Sequence, residues 1–91
     1  MTLEELYRII VDRRDHPTPD SYTASLFAAG TDEIAKKVGE EAIEVILAAK
    51  AQGKQRLVEE VADLAYHSLV LLAAYELTPD EIKAELDRRH K

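Results

Sequence analysis

Residues 69–74, Leu69-Val70-Leu71-Leu72-Ala73-Ala74, would be apolar around the whole circumference of a helix. A helix apolar on every side is buried on every side. In a chain of 91 residues few positions can hide such a segment. A small helical bundle is therefore predicted, with this stretch at its centre. The composition adds to the argument. Hydrophobic residues make up 46% of the chain and there is no Cys, so the core has no disulfide or Cys-rich zinc site to staple it. Apolar material in surplus of what one small bundle needs predicts a homodimer, with residues 69–74 in the dimer core.

The rest of the chain repeats at helical intervals, and no run alternates as a strand would. One helix is expected from Leu3 to about Arg14, opened by the capping-box spacing of Thr2 and Glu5. Pro17 and Pro19 end it, because each disfavours α geometry in the residue before it. A helical turn is expected over residues 21–29, with Ser21 as its cap and Gly30 as its stop. Thr31 or Asp32 is the expected cap of a second helix reaching about Gln52. Gly53 marks a tight turn, and a third helix is expected from Lys54 to Tyr75. Thr78 with Glu81 forms a second capping box, with Pro79 at the first position of a final helix. The fold class is thus all-α, an antiparallel helical bundle in a single domain over residues 1–91.

Charge narrows the function. Eighteen acidic residues against twelve basic ones give a net charge of −6. Nucleic-acid binding runs on clustered Lys and Arg, so no nucleic-acid partner is expected. No apolar run approaches the roughly 18 residues of a membrane span, so no membrane is expected either. Residues 1–14 mix charge into their apolar pattern, unlike a signal peptide. The cytoplasm is the expected location.

The acids are not scattered. The second helix carries Glu40-Glu41-Ala42-Ile43-Glu44, and the third carries Glu59-Glu60-Val61-Ala62-Asp63. Glu41 and Glu44 share one helical face, as do Glu60 and Asp63. In an antiparallel hairpin folded about position 52, Glu41 lies level with Asp63, Glu44 with Glu60, and Lys37 with His67. At about 100° per residue, Lys37, Glu41, Glu44 and Ala48 form one stripe. Arg56, Glu60, Asp63 and His67 form the facing stripe, and both stripes border the apolar seam. Four carboxylates in one layer repel unless something neutralises them. Either they are solvated acids with basic partners, or they hold a hard divalent cation. Mg²⁺ is the better match, with Mn²⁺ possible, because both take oxygen ligands. Zinc would want more His or Cys, and a di-iron site would want Glu-x-x-His motifs that are absent. Mg²⁺ held by few ligands plus waters serves substrate phosphates, so an acidic protein can bind a polyphosphate through the metal.

These residues carry a resemblance. Glu40-Glu41-x-x-Glu44 followed by Glu60-x-x-Asp63 resembles the signature of the all-α nucleoside triphosphate pyrophosphohydrolases, which include the MazG-type enzymes and dimeric dUTPases. Three flanking segments look more narrowly like the phosphoribosyl-ATP pyrophosphohydrolase family: Asp20-Ser21-Tyr22-Thr23-x-x-Leu26-Phe27, Lys36-Lys37-Val38-Gly39-Glu40-Glu41-Ala42-x-Glu44-Val45, and Glu60-x-Ala62-Asp63-Leu64-x-Tyr66-His67. The similarity covers nearly the whole chain and is to the stand-alone form of the enzyme. It implies hydrolysis of phosphoribosyl-ATP to phosphoribosyl-AMP and pyrophosphate, the second step of L-histidine biosynthesis. It also implies Glu41, Glu44, Glu60 and Asp63 as Mg²⁺ ligands.

Other site residues follow with their competing readings. Glu40 points about 100° away from the stripe; it binds a second ion, accepts a proton from water, or pairs with Lys36. Lys37 contacts substrate phosphate or pairs with Glu41, and Lys36 lies beside it. Ser21, Tyr22 and Thr23 offer hydroxyls to phosphate or ribose, or else cap and anchor the short helix. Arg14, in preference to Arg13, reaches a phosphate or complements the helix dipole. His67 contacts substrate or is a satisfied core residue. Tyr66 points elsewhere and is assigned to packing, and Gly39 to a close helix approach. Two alternatives remain beside the leading function: a house-cleaning pyrophosphohydrolase of the MazG type, and a non-catalytic helical interaction module.

Overall fold

The computed structural model describes residues 1–90. Its elements are α1 (Leu3–Asp15), α2 (Tyr22–Ala29), α3 (Thr31–Leu47) continued by a π-helical turn (Ala48–Gln52), α4 (Lys54–Ala74) and α5 (Pro79–Arg89). The caps explain most of the boundaries. Thr2 Oγ1 accepts from the Glu5 amide at 3.0 Å, opening α1. Ser21 Oγ accepts from the Ala24 amide at 3.1 Å, opening α2. Thr78 and Glu81 form the reciprocal capping box of α5, with Pro79 at its start.

The start of α3 differs from the expectation. Neither Thr31 nor Asp32 caps it. Gly30, at φ +101°, ends α2 by donating its amide to the Leu26 carbonyl and opens α3 by accepting from the Ile34 amide, each at 3.2 Å. A backbone that turns through positive φ in one residue leaves no room for a separate side-chain cap. The end of α4 is also one residue shorter than expected. Tyr75 is its cap residue, and Glu76 takes a left-handed φ of +59°. The Leu77 amide then reaches the Leu72 carbonyl at 2.9 Å and the Glu76 amide the Ala73 carbonyl at 3.1 Å, the Schellman pattern.

Helices α3 and α4 form the hairpin that the fold is built around, turning at Gly53 with φ +89°. The core joins Ile10 of α1, Leu26 of α2, Ile34 of α3, and Leu69, Val70 and Ala73 of α4. Leu69, Val70 and Ala73 are thus covered by their own chain, while Leu71, Leu72 and Ala74 are half-buried. The apolar segment 69–74 accordingly does not need a second subunit for most of its burial. The surplus lies elsewhere. Ile43, Ile46 and Leu47 on α3, and Val58 and Val61 on α4, are exposed. Gly39 also departs from expectation, because it is exposed and a Cβ there would meet nothing within 4 Å. No helix among the described residues is long and apolar enough to cross a membrane.

Candidate functional site

The hairpin brings Glu41 of α3 against Glu60 and Asp63 of α4. One carboxylate oxygen from each lies within 4.8 Å of the others. Register accounts for this meeting, since Glu41 and Asp63 are level across the hairpin and Glu60 is one turn from Asp63. Glu60 is only 5% exposed. A buried carboxylate requires a compensating partner, and Arg56, one turn earlier on α4, supplies it through Nη2. Burial pushes the Glu41 carboxyl up from the ordinary carboxylate range, the charge of Asp63 adds to the rise, and Glu60 beside it contributes further; His67 opposes.

The expected four-carboxylate layer is therefore tighter at three of its members. Glu44 is half-buried and stands outside the triplet, on the side of Arg56, where its charge helps hold the guanidinium protonated. Ala48, placed by spacing on the acidic stripe, is buried at the π-helical turn.

A second layer of side chains backs the triplet. His67 is 6% exposed and its Nδ1 lies 2.8 Å from the backbone carbonyl of Asp63. A carbonyl only accepts, so Nδ1 carries the hydrogen, and Nε2 is left to pair with the Tyr22 hydroxyl at 3.3 Å. Tyr66 stacks against Tyr22 and meets His67 edge-on, with centroids 4.8 Å apart in the latter pair. Its hydroxyl bonds Thr23 Oγ1, and burial raises its pKa above the usual phenol value. Tyr66 is thus more than the packing residue expected of it. Tyr22 and Thr23 of α2 are tied to the residues that follow Asp63 on α4.

The remaining candidates are distributed unevenly. Ser21 is the α2 cap and also lines an open polar cleft of about 570 Å³ with Asp12, Arg13, His16, Thr18 and Asp20. Lys37 pairs with Glu40 at 3.7 Å, in place of the Lys37–Glu41 and Glu40–Lys36 pairs that spacing allowed. Lys36 is exposed and makes no ion pair among the described residues. Arg14 is engaged away from the acids. Its Nη1 donates to the Ala73 carbonyl at 2.8 Å and pairs with Glu76 at 3.2 Å, and its Nε bonds Asp15. Ala73 lies ten residues beyond Asp63 on α4, about 15 Å along the axis. In this structure Arg14, expected to reach a phosphate, clamps the end of α4. Spacing places Arg56 on the acidic stripe but gives no sign that it closes on Glu59 and Glu60 together.

The donor set suits a hard cation. Its three members offer only oxygen. Oxygens around Mg²⁺ at about 2.1 Å lie roughly 3 to 4 Å apart, within a small side-chain adjustment of the spacing seen here. No His or Cys stands among them to favour a softer metal.

Comparison with known proteins points the same way. A family model described as phosphoribosyl-ATP pyrophosphohydrolase matches residues 3–90. A phosphoribosyl-ATP pyrophosphatase of Pelotomaculum thermopropionicum is 52% identical over 89 residues, covering 98% of this chain and 91% of that protein. Proteins of the same name from Geotalea daltonii and Saccharolobus solfataricus are 49% and 48% identical, covering 96% and 98% of this chain and 82% and 95% of their own lengths.

Proposed function

Because the chain belongs to the phosphoribosyl-ATP pyrophosphohydrolase family, we propose that it hydrolyses phosphoribosyl-ATP to phosphoribosyl-AMP and pyrophosphate in a Mg²⁺-dependent reaction, with Mn²⁺ as a substitute. The reaction is the second step of L-histidine biosynthesis. The observation that carries the reading is the convergence of Glu41, Glu60 and Asp63 carboxylate oxygens within 4.8 Å. Those three residues would hold the metal, with Glu44 as the neighbouring fourth acid. When bound, Mg²⁺ supplies charge neutralisation at the leaving pyrophosphate.

The chain's own groups divide the remaining work. A carboxylate of the acidic layer takes the proton of the attacking water. Lys37 is half-buried beside the acids and Lys36 is exposed next to it. Their ammonium groups serve the substrate's phosphates. Glu40 holds Lys37. The Tyr22–His67 and Thr23–Tyr66 pairs fix α2 against the acidic layer, so that the Ser21–Thr23 segment is presented to substrate from a set position. Arg14, at the end of α1, is a further candidate contact for a substrate phosphate. The enzyme acts in the cytoplasm as a homodimer, and the exposed Ile43, Ile46, Leu47, Val58 and Val61 of the hairpin favour a second copy, since large apolar side chains left in water are stabilised by burial.

A panel of phosphoribosyl-ATP and the common and non-standard nucleoside triphosphates, assayed for pyrophosphate release, tests the substrate. The proposal expects phosphoribosyl-ATP to lead the panel in kcat/KM. A preference for a deoxynucleoside or non-standard triphosphate would instead assign the MazG-type house-cleaning activity. No release from any substrate would leave a helical interaction module.

A further inference from the structure

Glu60 is the most buried acid of the triplet, and its described ion-pair partner is a guanidinium that has somewhere else to go. Arg56 reaches Glu60 through Nη2 and Glu59 through Nη1, the latter at 2.6 Å. The charge of Glu44 also acts on it. The Arg56 side chain is 47% exposed, whereas that of Glu60 is 6% exposed. The two contacts are therefore unequal for the two partners. Glu60 has no other described cation, but Arg56 can release Glu60 and remain paired to Glu59 on the same helix, one turn away.

A divalent cation among Glu41, Glu60 and Asp63 would place its charge beside that of Arg56. Two positive groups sharing one buried carboxylate repel strongly at low dielectric. We propose that Arg56 is a resident counter-ion that orients and neutralises Glu60 in the metal-free chain and is displaced onto Glu59 when a divalent cation binds. Arg56 is then a positioning residue acting through Glu60, and it sets how tightly the site holds its metal. Without such a counter-ion the buried Glu60 would face Glu41 and Asp63 unneutralised, so the exchange keeps the empty triplet assembled and ready for its ion. This inference rests on reading the triplet as a divalent-cation site.

The test is Mn²⁺ binding to the purified full chain, measured by calorimetry and by electron paramagnetic resonance without substrate. Arg56→Gln removes the competitor, and Mn²⁺ affinity rises roughly three- to tenfold. Glu59→Gln removes the alternative holder, leaves Arg56 on Glu60, and weakens Mn²⁺ binding. Lys54→Gln removes an equal charge from the same end of α4 and changes the affinity less than about twofold at physiological salt. Arg56→Lys, which keeps the charge but loses the fork, falls between wild type and Arg56→Gln. Side-chain NMR of Arg56 in a Mg²⁺ titration shows its guanidinium signal moving, a readout that a purely structural role would not change. Unchanged or weaker Mn²⁺ binding in Arg56→Gln, or an equal gain in Lys54→Gln, overturns the inference while leaving the metal site standing. If wild type and every variant fail to bind Mn²⁺, both the inference and the metal-dependent function fall. Should Arg56→Gln not fold, judged by helical circular dichroism, the direction of the Glu59→Gln shift decides alone.

Discussion

The Tyr22 hydroxyl and the His67 imidazole, 45 residues apart in sequence, meet at 3.3 Å between Oη and Nε2. The same ring is fixed on its other side by the Asp63 backbone carbonyl, so a residue of the short helix α2 is coupled through one imidazole to a residue of the acidic triplet. Tyr22→Phe keeps the ring stacked on Tyr66 and deletes only the hydroxyl. It is expected to cost about 0.5 to 1.5 kcal/mol of stability and to lower kcat/KM with the Mg²⁺ requirement intact. Urea unfolding and steady-state kinetics read the two effects separately.

The triplet should cost stability in the absence of metal. The Glu41 carboxyl is held above its ordinary value by burial first and by Asp63 next. A raised acid binds more protons in the folded than in the unfolded chain, so stability falls as pH rises from the ordinary carboxylate value through the raised one. Glu41→Gln removes that loss. In EDTA the variant is expected to unfold at a higher urea concentration than wild type at pH 7, with the gain disappearing below about pH 4. Glu41→Gln combined with Asp63→Asn should keep the fold and reduce Mg²⁺-dependent turnover on the order of a hundredfold or more.

The end of α4 offers a stabilising change. Glu76 occupies the left-handed position of a Schellman motif at φ +59°, where Gly is the usual residue. Its pairing with Arg14 is exposed on the Glu76 side and is worth little. Glu76→Gly is expected to stabilise the chain by about 0.5 to 1 kcal/mol, seen as a higher denaturation midpoint with an unchanged slope.

The dimer has its own test in the exposed apolar residues of the hairpin. Ile46 is 54% exposed and Val61 46% exposed. Placing a carboxylate in a dimer interface by Ile46→Glu or Val61→Glu should convert a dimer to a monomer in light scattering at micromolar concentration, with helical content retained. A wild-type chain that already scatters as a monomer contradicts the dimer.

Local chemistry explains which features were legible in the sequence. Thr2, Ser21 and Thr78 cap helices through atoms three residues away, and such motifs show directly in the residue order. The meeting of Glu41 with Asp63 could be read because a hairpin turning at Gly53 converts residue number into height. Where two elements share a residue, that reading failed. Gly30 serves α2 and α3 together, a double role that the cap-like residues Thr31 and Asp32 beside it conceal in the sequence. The π-helical turn at Ala48–Gln52 is an interruption that a regular period does not reveal. Long side chains were the least legible. Arg14 and Arg56 each have several acceptors within reach, and their partners are set by tertiary packing and burial, as with Ala73 for one and Glu60 for the other. The apolar segment 69–74 was rightly placed in a core, but α1, α2 and α3 bury much of it within one chain.

Recruitment of a divalent cation by the acidic layer to cleave phosphoribosyl-ATP is measured most directly by pyrophosphate release from that substrate in a Mg²⁺ titration. Release is expected to rise to saturation with Mg²⁺, to be restored by Mn²⁺, and to fall to background in EDTA. Equal rates with Mg²⁺ and with EDTA, or no release with metal present, would contradict it.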